Sequence, residues 1–136
     1  MKKRTIMFLL CAGLLFSLSC CGLENEKDSR LKDLNFTVIT EKDVPEEFAA
    51  IINQKKSEDF QLTYEDGELY IAVGYGEQGT GGYSIEVNEF YLGENAIYLQ
   101  TSLIGPPKSE KTEEAKSYPY IVLKTEKRDE KVVFKN

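Results

Sequence analysis

Hydrophobic residues recur at every second position through most of the chain after residue 59, which predicts β-strands with one buried face. Ile71 and Val73 share a face in one such run, and Ile85 and Val87 share a face in the next. The alternation slips at residues 88–90, which predicts a β-bulge there. The predicted strands are residues 60–64, 68–75, 82–92, 96–104, 118–124 and 131–135.

The preceding segment contains one further strand and one helix. Residues 34–40 are rich in β-branched and apolar side chains, with Phe36 and Val38 on one face, and predict a strand. Residues 45–56 predict a helix, because Pro45 suits a first helical turn and acidic and basic residues follow at the favourable ends. The predicted apolar stripe of this helix consists of Val44, Phe48, Ile51 and Ile52.

The links between the predicted strands are mostly short. Asp66-Gly67 is a strong hairpin signal between the first two, whereas residues 105–117 form a long polar loop that carries Pro106 and Pro107. Short links favour antiparallel pairing. The sequence therefore predicts a mainly β (α+β) fold, an antiparallel β-sandwich or open barrel with one N-terminal helix.

The first 21 residues have the pattern of a targeting segment. Basic residues 2–4 precede an apolar stretch at 6–16 that is too short for a stable transmembrane anchor. Small or apolar residues then lead into Cys20, with Ser19 directly before it, as in a bacterial lipobox, where the cysteine is acylated and the chain is cut before it. Cys21 is the alternative acylation site, and an ordinary secretory signal is the alternative to a lipobox.

The predicted organisation follows from this motif. Residues 1–19 form a lipoprotein signal peptide, residues 20–33 a lipidated flexible tether, and residues 34–136 one mostly β domain. We expect a lipid-anchored protein on the extracytoplasmic face of a bacterial cell membrane.

Composition narrows the chemistry of the domain. The 136 residues include no His and no Trp, and the three Cys lie at positions 11, 20 and 21. The predicted domain therefore lacks the residues of a His-based triad, a Cys nucleophile or an imidazole or thiolate metal site. Loss of residues 1–19 removes three basic residues and lowers the formal charge from −6 to −9, which disfavours nucleic acid as a partner. We expect no cofactor, no metal ion and no catalytic residues.

A glycine-rich segment separates two of the predicted strands. Residues 74–79 satisfy G-x-G-x-x-G, but a strand rather than a helix follows, so a dinucleotide site is not predicted. Two interpretations remain: the glycines serve backbone geometry, or residues 79–83 form a contact loop with Tyr83 as its aromatic anchor. Tyr83 is alternatively the first core residue of the next strand.

The segments at residues 70–87, 105–107 and 117–124 resemble the C-terminal domain of the PrcB family of protease-complex subunits. Gly-Thr-Gly-Gly-Tyr at residues 79–83 and Tyr-Pro-Tyr at 118–120 carry most of this resemblance, which extends from about residue 60 to the end of the chain. The family commonly has Pro where this chain has Gly79. The resemblance and the glycine pattern together predict a partner-binding patch, formed by Gly79, Thr80, Gly81, Gly82, Tyr83, Gly105, Pro106 and Pro107.

The resemblance implies a non-catalytic accessory or stabilising subunit of an extracellular protease complex. Residues 80–83 are also similar to the Thr-Thr-Gly-Tyr loop of chagasin-like cysteine-protease inhibitors, although the Trp that follows in that family is absent. A protease inhibitor is therefore one alternative, and an envelope structural or small-ligand-binding lipoprotein is another. The predicted partners are the membrane, through the lipid, and a second protein that the resemblance suggests is a secreted or surface protease.

Overall fold

The computed structural model describes residues 30–108 and 115–135. Cys20, Cys21 and the predicted signal peptide lie outside the described residues, so the division at residues 19 and 33 stays a prediction. The elements are β1 (Lys32–Asp33), β2 (Thr37–Ile39), α1 (Glu46–Lys55), β3 (Asp59–Glu65), β4 (Leu69–Tyr75), β5 (Ser84–Leu92), β6 (Ala96–Ile104), β7 (Tyr120–Thr125) and β8 (Lys131–Lys135). A 3-10 turn, Glu41–Asp43, precedes α1.

The strands pair into two four-stranded sheets. Sheet A has the order β1-β5-β6-β8, and sheet B has the order β2-β7-β4-β3. Apolar side chains from both sheets pack into one buried cluster, with Ile71 and Leu123 from sheet B against Ile97 and Leu99 from sheet A. The predicted mainly β sandwich with one helix is therefore confirmed for the described residues, where the sheets do not close into a barrel.

Helix α1 packs on the opposite face of sheet B. It follows Pro45 and buries Phe48 and Ile52 against Phe60 and Tyr70 in a second apolar cluster. Sheet B therefore has a buried face on each side, and this explains why β4 is apolar at successive positions rather than at every second one. The prediction that Ile51 belongs to the buried stripe is wrong, since that side chain is 37% exposed.

One pairing contradicts the predicted antiparallel arrangement. Strand β8 pairs with β6 in parallel, with Ile97 opposite Val132 and Leu99 opposite Phe134. The charged link at residues 126–130 does not turn a hairpin, because it leads from β7 in sheet B to the edge of sheet A. A chain that changes sheets in this way reaches β6 from the same end as β6 itself begins, so the two strands run in the same direction.

The predicted bulge is present in β5. The register with β6 shifts between Val87 and Glu89, so that Phe90 and Leu92 face the core while residues 84, 86 and 88 stay exposed. A bulge reverses which face successive side chains occupy, and it explains the slip in the hydrophobic alternation. Burial along β5 is therefore uneven, and Ile85 before the bulge is only half-buried.

The sandwich has two different ends. At the hairpin end lie the turn at residues 66–68, the turn at residues 93–95 and strand β1, where Lys32 pairs with Leu92. At the loop end lie two long connections that cross between the sheets: residues 76–83, and the connection after β6, of which residues 105–108 and 115–119 are described. Gly67, in the predicted Asp66-Gly67 turn, has φ of 73°, a conformation that glycine adopts readily.

The described residues contain no helix that is long and apolar enough to span a lipid bilayer.

The uneven burial of β4 and β5 gives a direct test of the core. Val73→Ala is expected to lower the free energy of unfolding by about 2 kcal/mol, because Val73 is 5% exposed and its loss leaves a cavity. Ile85→Ala is expected to lower it by about half as much, because Ile85 is half-buried. Urea unfolding of residues 22–136 measures both, and equal losses would contradict the burial assigned to these strands.

Candidate functional site

The two long connections, residues 76–83 and the described parts of the connection after β6 (105–108 and 115–119), lie side by side at the loop end. Gly74 pairs with Tyr120 across β4 and β7, so the loop leaving β4 and the loop entering β7 are neighbours. Ser84 pairs with Ile104 across β5 and β6, which places the other ends of the same two loops together. We call residues 79–83, 105–107 and 116–119 the loop face.

The side chain of Tyr83 connects the two loops. A Cβ added at Gly105 would lie 3.4 Å from Tyr83 Cε1, so the tyrosine ring rests against the Gly105 backbone. Tyr83 is half-buried, as is Pro106, whereas Pro107 is exposed. Ile104, next to this contact, is 42% exposed. The structure therefore brings the two predicted loops together around Tyr83, while their role in binding stays a prediction.

At three positions in or beside residues 76–83, the structure explains why the residue is glycine. A Cβ at Gly74 would lie 2.1 Å from Phe60 Cε2, so the phenyl ring occupies the space of a side chain. Gly76 has φ of 76° and Gly82 has φ of 85°, values in the left-handed region that other residues rarely adopt. Backbone geometry or close packing therefore accounts for these positions.

Neither close packing nor backbone geometry explains the glycines at positions 79 and 81. A Cβ added at either position meets no atom within 4 Å, and neither residue has a positive φ. Gly79 is exposed, and Gly81 is half-buried. Because folding does not require glycine at these two positions, they fit the contact-loop interpretation better than the geometric one.

Three hydrogen bonds with Ser117 hold residues 78–80 in place. The backbone N–H of Gln78 donates to the backbone carbonyl of Ser117 over 2.8 Å, and the backbone N–H of Ser117 donates to the backbone carbonyl of Gln78 over 3.0 Å. The Ser117 hydroxyl also donates to the Thr80 carbonyl over 2.6 Å. The sequence alone does not reveal this role of Ser117, since no local pattern links two positions so far apart in the chain.

Lys116, in the loop face, is paired with an acidic residue beside it. Lys116 Nζ lies 3.4 Å from a Glu77 carboxylate oxygen, and the Tyr118 hydroxyl donates to the same carboxylate over 3.3 Å. Lys56 Nζ lies 5.7 Å from the centre of the Tyr118 ring. Exposed pairs of this kind contribute little to stability, about 0–1 kcal/mol.

Tyr120, which lies opposite Gly74 in sheet B, has a raised pKa. Burial raises the pKa of its phenol, and the negative charge of Glu41 and the hydrogen bond to it over 3.4 Å raise it further. The phenol therefore keeps its proton well above neutral pH. Within residues 30–108 and 115–135, no group of three or more His, Cys, Asp or Glu side chains is placed to hold a metal ion.

A cleft lies at the hairpin end, away from the loop face. It has a volume of about 620 Å³ and is open to solvent, and its lining includes Lys32, Phe36, Lys124 and Arg128. Small-molecule sites are usually lined mainly by apolar side chains around a few polar groups. This cleft is lined mainly by polar and charged residues, so its composition does not favour the small-ligand alternative.

Of the comparisons with known proteins, one gives a match, and it covers the central part of the domain. No curated protein and no solved structure matches the chain. A family model described as PrcB C-terminal matches residues 69–126, which is less than half of the chain. The matched segment runs from the first residue of β4 to the residue after β7, and it contains both sheet-crossing loops. The resemblance seen in the sequence is therefore confirmed: residues 69–126 of this chain match the PrcB C-terminal domain.

Proposed function

We propose that this protein is a non-catalytic accessory subunit that binds a protein partner, a protease of the cell surface or of the secreted fraction, through its loop face. The family of residues 69–126 suggests a role as a protease-complex subunit. The matched segment includes the two loops that meet at Tyr83, and it excludes α1, β1, β2, β3 and β8. The family likeness therefore coincides with the part of the fold that forms the loop face.

The observation that carries the proposal is the pair of glycines that the fold does not require. Gly79 is exposed and Gly81 is half-buried, and a Cβ added at either position meets no atom within 4 Å. Glycine at such positions lets a partner approach the main chain closely, and a tyrosine next to it supplies contact area. A loop of this kind is typical of a recognition surface.

We further propose that a lipid on Cys20 holds the protein on the extracytoplasmic face of the membrane. The basic, apolar and small-residue pattern of residues 1–20 supports this localisation. The absence of His, and of Cys after residue 21, supports a binding rather than a catalytic role for the domain.

Tyr83→Ala tests the loop face. Truncating an aromatic anchor removes about 2 kcal/mol of binding free energy, which corresponds to an affinity about thirtyfold weaker. The partner is first isolated by crosslinking and pull-down from intact cells, and the affinity of each variant for the purified partner is then measured. Glu94→Ala, an exposed position in a hairpin-end turn, is the control and should bind as the natural chain does.

The result separates a contact role from a core role. Melting temperature is measured on the same variants, and Tyr83→Phe should retain both stability and most of the affinity. A large fall in melting temperature for Tyr83→Ala, with unchanged affinity of the folded fraction, would show that Tyr83 belongs to the core and that the contact surface lies elsewhere.

The same purified partner distinguishes the accessory subunit from the inhibitor alternative. An accessory subunit prolongs the active lifetime of the protease when the two proteins are mixed. A chagasin-like inhibitor instead lowers its activity at once, in proportion to the amount added.

A further inference from the structure

Within residues 30–108 and 115–135, no strand pairs with the outer edge of β5 before Phe90. Strand β1 pairs only with Tyr91 and Leu92. The chain makes one further bond, of 3.0 Å from the Leu34 backbone N–H to the Phe90 carbonyl, and then crosses to β2 in sheet B. On its other side β5 pairs with β6 from Ser84 onward. Residues 84–89 therefore present a sheet edge about 20 Å long.

The sandwich is open beside this edge. Val38 of β2 lies opposite the core residue Leu123, so its side chain is on the core face of sheet B, yet it is 54% exposed. Phe36 is 38% exposed, although its ring meets that of Phe90 edge-on, with the ring centres 5.5 Å apart. Apolar surface that belongs to the core side is therefore exposed where β1 ends and sheet A has no further strand.

The outer strand of sheet B shows how a protected edge differs. In β3, Gln61 and Thr63 lie opposite buried core residues of β4, so polar side chains occupy the core face of that edge. Polar or charged residues that point inward discourage another strand from joining. In β5 the core face carries Ile85 and Val87 instead, which are apolar and half-buried. The edge of β5 is therefore suited to accept an added strand.

The outer face of this edge selects the occupant by charge. Glu86 is exposed, and its carboxylate has no ion pair or hydrogen bond with the part of the chain that the structure describes. A second copy of this chain fits poorly, because the antiparallel register that pairs residues 84–88 of both copies places Glu86 opposite Glu86, and like charges in that position destabilise a sheet. A strand with Lys or Arg opposite Glu86 gains a favourable charge pair instead.

We propose that residues 84–89 accept an extended segment of the protein partner as an added strand of sheet A, with Lys or Arg opposite Glu86 and apolar side chains against Ile85 and Val38. In strand addition, main-chain hydrogen bonds supply affinity and alternate side chains supply specificity. Because Ser84 directly follows Tyr83, the added strand continues from the loop face along the sandwich. This inference rests on the proposed function for its partner, and it adds a second contact and the chemistry of the segment that makes it.

Synthetic peptides test the edge without the partner. The probe is a dye-labelled six-residue peptide in which valine alternates with lysine, and fluorescence anisotropy measures its affinity for the full-length mature protein in a nonionic detergent. The same peptide with glutamate in place of lysine should bind about fivefold more weakly, because glutamate then faces Glu86. N-methylation of the peptide amides removes the main-chain donors and should weaken binding at least about tenfold.

Matched variants separate a local contact from general attraction to an acidic protein. Glu86→Lys should abolish the preference for the lysine peptide. Glu94→Lys changes the net charge equally, but in an exposed turn at the hairpin end, and should keep the preference. Val38→Thr should weaken binding about threefold, whereas Ile51→Thr, at an exposed apolar residue of α1, should not. Equal effects within either pair of variants would overturn the proposal.

Hydrogen exchange of the same protein locates the bound peptide. The amides of residues 84–89 that do not bond to β6 should exchange several-fold more slowly when the peptide is present. Protection confined to other residues would overturn the proposal. Slow exchange of these amides without peptide would also overturn it, because a second copy in an oligomer, or another segment of this chain in a monomer, would then already occupy the edge.

The two proposals fail in different ways. If no peptide binds while Tyr83→Ala still weakens binding of the purified partner, the added strand is wrong and the proposed function stands. If the peptides bind as expected but the partner does not depend on Tyr83, the loop face is wrong as the contact surface and the strand site remains.

Discussion

Replacing Gly74 by valine is expected to lower the free energy of unfolding by about 3 kcal/mol, because a side chain there must displace a buried ring. The Cβ alone would lie 2.1 Å from Phe60 Cε2 and 2.7 Å from Phe60 Cζ. The ring is 7% exposed and lies 6.3 Å, centre to centre, from that of Tyr120, so it has little room to move away. Urea unfolding of residues 22–136 measures the loss.

Matched substitutions show whether the contact with Phe60 is the cause. Gly79→Val and Gly81→Val introduce the same side chain into open space and are expected to change stability by less than about 0.5 kcal/mol. Adding Phe60→Leu to Gly74→Val should recover part of the loss, because the two changes share one cavity. Similar losses at all three glycines would mean that the loop as a whole needs glycine for folding.

Replacing Cys20 by alanine is expected to leave no mature, lipid-anchored protein in the membrane fraction. The protein should appear in the medium or remain as an uncleaved precursor, because a diacyl anchor supplies about 0.8 kcal/mol for each buried methylene group and nothing else in the sequence replaces it. Fractionation of cells and mass spectrometry of the mature N-terminus provide the measurement.

Cys21→Ala is the matched control for this experiment. It should leave the protein acylated and in the membrane fraction if Cys20 carries the lipid. A mature N-terminus that starts at an acylated Cys21 would shift the assignment by one residue. A terminus at Gly22 or Leu23 without lipid would contradict the anchor and favour an ordinary secretory signal.

Local sequence signals predicted the strands of this domain well. The bounds of β6 and β8 agree with the alternation of apolar residues, and the Asp66-Gly67 turn lies where its sequence places it. The bulge between Val87 and Glu89 was also visible as a slip in period. These features depend on residues that are close in the chain, so the amino-acid pattern contains the information that determines them.

Features that depend on residues far apart in the chain were harder to predict from the sequence. Period two does not show which sheet a strand joins, and the parallel pairing of β8 with β6 depends on where β7 goes. Burial on both faces of β4 results from α1, which packs from outside the sandwich. At the site, the meeting of Tyr83 and Gly105 agrees with the predicted patch, whereas the support from Ser117 depends on a contact that only the folded chain reveals.

The position of β7 in sheet B has a consequence for how the chain folds. Residues 120–125 lie between β2 and β4, with Val38 opposite Leu123 and Ile71 opposite the same residue on the other side. The two strands made early in synthesis therefore have no hydrogen-bonded link until almost the entire chain is available. Topologies dominated by such long-range pairing close slowly, because loop entropy is lost before the contacts form. Sheet B is therefore complete only after β7 has been synthesised, although the β3–β4 hairpin can form earlier.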